Sequence, residues 1–127
     1  MKNFLLVGSG GFLGAAARYY LGGLVLQASG VPRFPLATLV VNVTGCLAIG
    51  VIAGLGERAD AFSASTRLFV ITGVLGGYTT FSAFAYETYF LGREQAWLSA
   101  VVSVVAQVGL GLLAVMLGHR LAVSLAA

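Results

Sequence analysis

Between Gly76 and Phe84 the chain reads Gly-Gly-Tyr-Thr-Thr-Phe-Ser-Ala-Phe, with two glycines, two threonines and a serine set inside an apolar run long enough to cross a bilayer. Hydrocarbon offers no water to free backbone or hydroxyl groups, so such a stretch survives only against protein or a water-lined cavity. It predicts a helix broken in mid-membrane, at a site that handles something small and polar. Phe81 and Phe84, three residues apart, fall on one helical face just beyond the break. An aromatic ring has a positive edge and a negative face. The two rings can therefore pack as ordinary core or lipid-facing aromatics, or turn their edges to an anion without the tight binding a lysine would impose.

Four further polar features lie within apolar segments. Asn42 has Thr38 one turn before it and Gly45 one turn after, a narrow polar stripe on an apolar helix. Its amide carries two donors, which suit an anion or, equally, a hydrogen bond between membrane helices. Ser99, Ser103 and Gln107 recur every four residues and either line a pathway or join helices. Glu87 sits on the phenylalanine side of its helix, as a proton-coupling site or an ion-pair partner; no second intramembrane acid accompanies it. Arg18 lies well inside the first apolar run, where arginine costs about 2.5 to 3.5 kcal/mol even on mild scales. It needs a partner, an aqueous vestibule or an interface to which it can snorkel.

The elements that must position these groups are membrane helices. The chain is 59% hydrophobic and 9% charged, with a mean hydropathy of +0.98, whereas soluble domains are about 25% charged. Spans need roughly 20 mainly apolar residues, and four are expected, at 4–26, 36–55, 68–91 and 97–117, forming one all-α integral membrane domain over 1–127. Hydrophobic segments continue to the C-terminus, so no cleaved signal is expected. The connectors are short: Pro32 and Pro35 interrupt the first, 57–65 is polar, and Gly92-Arg93-Glu94-Gln95 makes a tight turn. The single Cys46 has no second cysteine and no histidine cluster, which sets aside disulfide and zinc chemistry and leaves packing. The net charge of +3 comes from basic residues scattered singly, as membrane-end anchors rather than a nucleic-acid surface.

Four spans leave both termini on one side, with Lys2, Arg58, Arg67 and Arg120 there and Arg33 and Arg93 opposite. Lys and Arg in the loops normally set orientation. So weak a bias allows insertion both ways round and an antiparallel homodimer, or a single orientation with cytoplasmic termini. The pairs Gly10/Gly14, Gly50/Gly54 and Gly73/Gly77 have the spacing that lets helices approach closely. The expectation is oligomerisation, with packing inside one subunit as the alternative.

Together these residues resemble the Fluc (CrcB) family of fluoride channels over essentially the whole chain. Gly10-Gly11-Phe12-Leu13-Gly14-Ala15-Ala16-Ala17-Arg18 looks like the family's first-span glycine motif ending in arginine, and Asn42-Val43-Thr44-Gly45 like its second-span Asn-x-x-Gly. The Gly76–Phe84 stretch is similar to its most specific signature, Gly-Gly-x-Thr-Thr-Phe-Ser-Thr-Phe, and Glu87 falls where an acid follows it. The resemblance implies a dual-topology homodimer with two antiparallel fluoride pores, in which Asn42, Phe81 and Phe84 line the pathway. It also implies a structural sodium ion at the dimer centre, held by backbone carbonyls at the break matching Gly76 and Thr79; such oxygens are hard ligands suited to a hard cation. Two departures stand out: Ala83 replaces a hydroxyl residue, and Ser103 and Gln107 stand where a tyrosine or asparagine and then a serine are commoner.

The implied function is passive export of fluoride across a bacterial inner membrane, which lowers its toxicity and catalyses no reaction. Burying an isolated ion costs tens of kcal/mol, so ordered donors must replace its water; Asn42, Thr80, Ser82, Ser103 and Gln107 are the candidates, with Arg18 and Glu87 as vestibule or structural charges. The expected partners are fluoride, the bilayer and a second copy, with no nucleic acid. A small multidrug exporter would need an acid in the first span, which carries Arg18 and none. A structural subunit of a membrane complex would account for the glycines but not for the polar break.

Overall fold

A computed structural model describes residues 1–30, 34–56 and 62–125. Every element among them is helical: α1 (Lys2–Ser29), α2 (Leu36–Gly56), a short α3 (Ala64–Arg67), a π-helical segment (Leu68–Leu75), a single turn α4 (Gly76–Tyr78), α5 (Phe81–Arg93) and α6 (Trp97–Leu125). Three helices among the described residues are both long and apolar enough to cross a membrane: 36–56, the bent run 64–93, and 97–125. α1, with 28 residues, has the length, about 42 Å at 1.5 Å per residue. Arg18, Tyr19, Tyr20 and its glycines make it less apolar than the other three.

The helices outrun the expected spans at most ends, and three of those ends have a local cause. Gly30, in the left-handed region at φ 58°, closes α1, a conformation that costs glycine little. Ser63 caps the start of the third run, its hydroxyl accepting from the Thr66 amide at 3.1 Å. The turn after α5 is held by Gln95 N–H to Gly92 O and Ala96 N–H to Leu91 O, with Trp97 lying against Gly92. Of the charges expected to set orientation, Arg33 and Arg58 lie outside the described residues, as do Pro32 and most of the 57–65 connector.

The third run is wound in a way the sequence did not announce, and it breaks where the polar stretch lies. Residues 68–75 are wound as π-helix, and nothing in the sequence Leu-Phe-Val-Ile-Thr-Gly-Val-Leu marks that winding. The break falls inside the expected Gly76–Phe84 stretch, just before Phe81: Gly76 is right-handed helical, at φ −63° and ψ −34°, and the chain becomes extended at Thr79 and Thr80.

The glycine pairs pack inside one chain, the alternative that the sequence left open beside oligomerisation. α1 lies on the π segment and α4 along Gly10, Gly14, Gly73 and Gly77; a Cβ added to Gly73 would come within 2.9 Å of the Gly10 Cα, and one on Gly77 within 2.9 Å of the Gly11 Cα. α2 packs on α6 in the same way, with Gly50 against the Val115 backbone, Gly54 against His119 and Gly118 against Leu47 and Val51. Small residues bring backbones together where apolar lipid provides no hydrophobic drive.

Candidate functional site

At the break, Thr79 has φ −80° and ψ 157° and Thr80 has φ −151° and ψ 115°, so the backbone of Thr80 can no longer bond along a helix. Asn42 on α2 takes over both of its groups. The Thr80 N–H donates to Asn42 Oδ1 at 2.8 Å, and Asn42 Nδ2 donates to Thr80 O at 3.0 Å. One turn on, the bare Gly45 makes room for the Thr79 methyl, where any Cβ would collide with it. The Asn-x-x-Gly spacing is thus a docking surface for the break: an amide for one threonine's backbone and a hollow for the other's side chain.

Each threonine also bonds locally. Thr79 Oγ1 donates back to Leu75 O at 2.9 Å. Thr80 is the N-cap of α5, its Oγ1 accepting from the Ala83 amide at 3.2 Å, with Ser82 Oγ 3.3 Å away. These bonds divert two donors that an unbroken helix would use, since the Thr80 N–H would bond Gly76 O and the Ala83 N–H would bond Thr79 O. The two carbonyls singled out as cation ligands are therefore the two whose helical donors are engaged elsewhere. No group of three His, Cys, Asp or Glu among the described residues could hold a metal.

Phe81 and Phe84 do share a face, with ring centroids 5.5 Å apart and planes at 69°. In this edge-to-face pair one ring's positive edge meets the other's face. Both line a cavity of about 410 Å³ together with Asn42, Gly76, Thr79, Thr80 and Gln107. Phe81 is 78% exposed in the single chain. Gln107 reaches the same place from α6, its Oε1 accepting from Asn42 Nδ2 at 3.1 Å, while its Nε2 is buried without a partner among the described residues.

The remaining polar residues lie toward the connector side of the break. Thr38 Oγ1 donates to Glu87 Oε1 at 2.7 Å, while Glu87 Oε2 is buried and unpartnered among the described residues. Ser103, 1% exposed, likewise has a hydroxyl without a partner among them. Arg18 is half-buried and lines a recess of about 350 Å³ with Thr38, Thr80 and Ala83, and a second of about 540 Å³ with Thr38, Gln27 and Glu87. Thr80 is common to the Arg18 recess and the phenylalanine cavity. The structure thus brings together Asn42, Thr79, Thr80, Phe81, Phe84 and Gln107, leaves Ser82 exposed at the start of α5, and sets Arg18 and Glu87 around the adjoining recess.

Sequence reasoning missed three contacts. It singled out Asn42 and Gln107 separately without pairing them, read Thr38 and Glu87 without joining them, and passed over the hydrogen bond of 2.7 Å between Thr44 Oγ1 and the Tyr78 hydroxyl. Each joins helices remote in sequence. A polar residue facing inward on each of two helices was the signal available.

The family described as CrcB-like protein, Camphor Resistance (CrcB), matches residues 5–119, which include every residue of the break. Among curated relatives, a protein named fluoride-specific ion channel FluC from Methylobacillus flagellatus is 45% identical over 121 residues, 95% of this chain and 94% of its own length. One of the same name from Rhizobium meliloti is 48% identical over 121 residues, covering 95% of this chain and 96% of the relative. Another from Opitutus terrae is 46% identical over 127 residues, 98% of this chain and 96% of the relative. With the family model matching nearly end to end and such relatives aligned over almost their whole length, this chain belongs to the CrcB family.

Proposed function

We propose that this protein is a fluoride-selective channel that lets the anion leave the cytoplasm passively, and that it catalyses no reaction. The observation that carries the reading is the convergence of Phe81, Phe84 and the Asn42–Gln107 amides on one cavity at a helix break. Among the described residues no acid lines that cavity, which suits an anion. Relatives aligned over nearly their whole length carry the name fluoride-specific ion channel. A half-helix that begins in mid-membrane, as α5 does, turns its amide end toward anionic cargo. The route runs from the Arg18 recess past Thr80 to the phenylalanine pair, and Thr80, Ser82, Ser103 and Gln107 supply polar groups near it.

The complete channel is an antiparallel homodimer of four-span chains, with α1 as the first span, in a bacterial inner membrane. The exposed Phe81 supports a second copy, since a ring that lines an anion route must be enclosed. A structural sodium ion at the dimer centre fits the residues present. Gly76 and Thr79 each offer a carbonyl whose helical donor is engaged elsewhere, and Gly76 is exposed on the single chain. Two oxygens are too few for a hard cation, which takes about six; a second copy brings the set to four and leaves the rest to other oxygens. Such an ion supplies fixed positive charge between two anion routes.

Purified protein in liposomes is the direct test. Fluoride should leave loaded vesicles while chloride stays, and equal retention of both would overturn the reading. For the assembly, a C-terminal reporter should give signal on both sides of the membrane, and a strictly one-sided signal would exclude the antiparallel dimer.

A further inference from the structure

We propose that Tyr78 is a positioning residue: its hydroxyl, donated to Thr44 on α2, stops the α4 turn from rotating and keeps Gly76 on the open side of the chain. The proposal rests on the sodium-bridged dimer of the reading above and names what aims this chain's carbonyls toward it.

α4 is a single turn of three residues, Gly76, Gly77 and Tyr78, set between the π segment and the extended Thr79. Successive residues of a helix point about 100° apart, so three in a row face three directions. Two of these are taken. Gly77 lies on α1, where an added Cβ would come within 2.9 Å of the Gly11 Cα. Tyr78 faces α2, its ring 3.3 Å from where a Cβ on Gly45 would lie and its hydroxyl 2.7 Å from Thr44 Oγ1. Gly76 has the third direction and is exposed.

The two holds differ in kind. Gly77 on Gly11 is backbone against backbone, close but with no side chain to resist turning. The tyrosine bond is directional, and its polarity follows from its neighbours. Thr44 Oγ1 lies 2.7 Å from Val40 O and 3.0 Å from Val41 O, carbonyls that only accept. A hydroxyl has one proton, and Thr44 gives it to these carbonyls. Toward Tyr78 it can then only accept, so the phenol donates. Because Thr44 is itself fixed to the backbone of α2, Tyr78 is tied to a whole helix rather than to a free rotor. Turning α4 would break this bond and swing Gly76 and Thr79 together, and a phenol released among apolar helices has no water to turn to.

The test uses the full chain in detergent, with sodium chloride as the probe and N-methylglucamine chloride as the control. The wild-type unfolding temperature should rise with sodium. No rise, even after prolonged exchange, would remove the ion from the reading above and this proposal with it. Given the rise, Tyr78→Phe keeps the ring on Gly45 and removes the donor. It should need roughly 3- to 10-fold more sodium for the half-maximal rise, the size expected for one hydrogen bond. Fluoride flux from liposomes should show the same displaced sodium midpoint. Thr44→Val removes the acceptor and should match it, the two changes together should be no worse than either alone, and Thr44→Ser should restore the wild-type midpoint. A wild-type midpoint in Tyr78→Phe would overturn the proposal. So would an equal loss of unfolding temperature at every sodium concentration, which would mean that the bond stabilises without aiming, or additive shifts in the double variant, which would mean that the two residues act apart.

Discussion

The half of the molecule that holds the termini and the half that holds the turn between α5 and α6 are built on opposite principles. In the first, α1 meets the π segment and α2 meets α6 along glycines whose missing side chains let backbones touch. In the second, from the break at Thr80 outward, α5 and α6 stand apart around a groove of about 830 Å³ lined by Thr88, Tyr89, Trp97 and Val104. The buried, unpartnered polar atoms Glu87 Oε2, Thr88 Oγ1, Ser103 Oγ and Gln107 Nε2 all lie at or beyond the break. A closed half satisfies itself by contact and gives a rigid base. An open half retains unspent polar groups, which is what handling a polar solute in hydrocarbon requires.

The largest effect should come from filling the closed half. A side chain at Gly118 would meet the Leu47 carbonyl and the Val51 nitrogen, and one at Gly14 would meet the Val74 carbonyl and the Tyr78 nitrogen. These are backbone atoms that cannot swing aside. Gly118→Val or Gly14→Val should cost about 3 kcal/mol, the upper range for overpacking, read as a lowered unfolding temperature in detergent. Gly8 and Gly109 have nothing within 4 Å of an added Cβ. Alanine there should be neutral or stabilise by up to about 1 kcal/mol through helix propensity. Equal loss at all four positions would erase the distinction between seam and surface.

The hinge between the halves should come second. Asn42→Leu strands the Thr80 N–H, the Thr80 carbonyl and Gln107 Oε1 together, for about 2 kcal/mol if the break partly relaxes. Hydrogen exchange at the Thr80 amide should quicken markedly. Unchanged exchange there would mean that something other than Asn42 holds the break.

How far these features could be read in advance depends on the range of the cause. Break, aromatic face and polar stripes were visible because hydroxyls, glycines and phenylalanines at helical spacing carry their meaning locally. Which residue of Gly76–Phe84 ends the helix was not. Gly76 and Gly77 are the weaker helix formers, yet the helix continues through them because Gly77 is needed bare against Gly11. It stops where Asn42, from another helix, captures the Thr80 amide. Likewise the glycine pairs announced close approach but not the partner, which proved to be the same chain. The π winding of 68–75 had no signal, since a run broken only by Thr72 and Gly73 has no periodicity to betray its pitch.

The smallest effect, and the one that divides the hinge most finely, concerns Thr80 itself. Its backbone is held by Asn42 and its side chain caps α5, two functions in one residue that substitution can separate. Thr80→Val keeps the branched shape that suits an extended backbone at φ −151° and leaves the Asn42 bonds in place, but removes the oxygen that accepts from the Ala83 amide. The expected cost is that of a lost N-cap, about 1 kcal/mol, and Thr80→Ser should recover most of it. Exchange should quicken at the Ala83 amide while the Thr80 amide stays protected, the reverse of Asn42→Leu. The ordering is the test. If Thr80→Val destabilised the protein as much as Asn42→Leu, the cap rather than the amide clamp would hold the break, and the boundary between closed and open halves would be set within the third run alone.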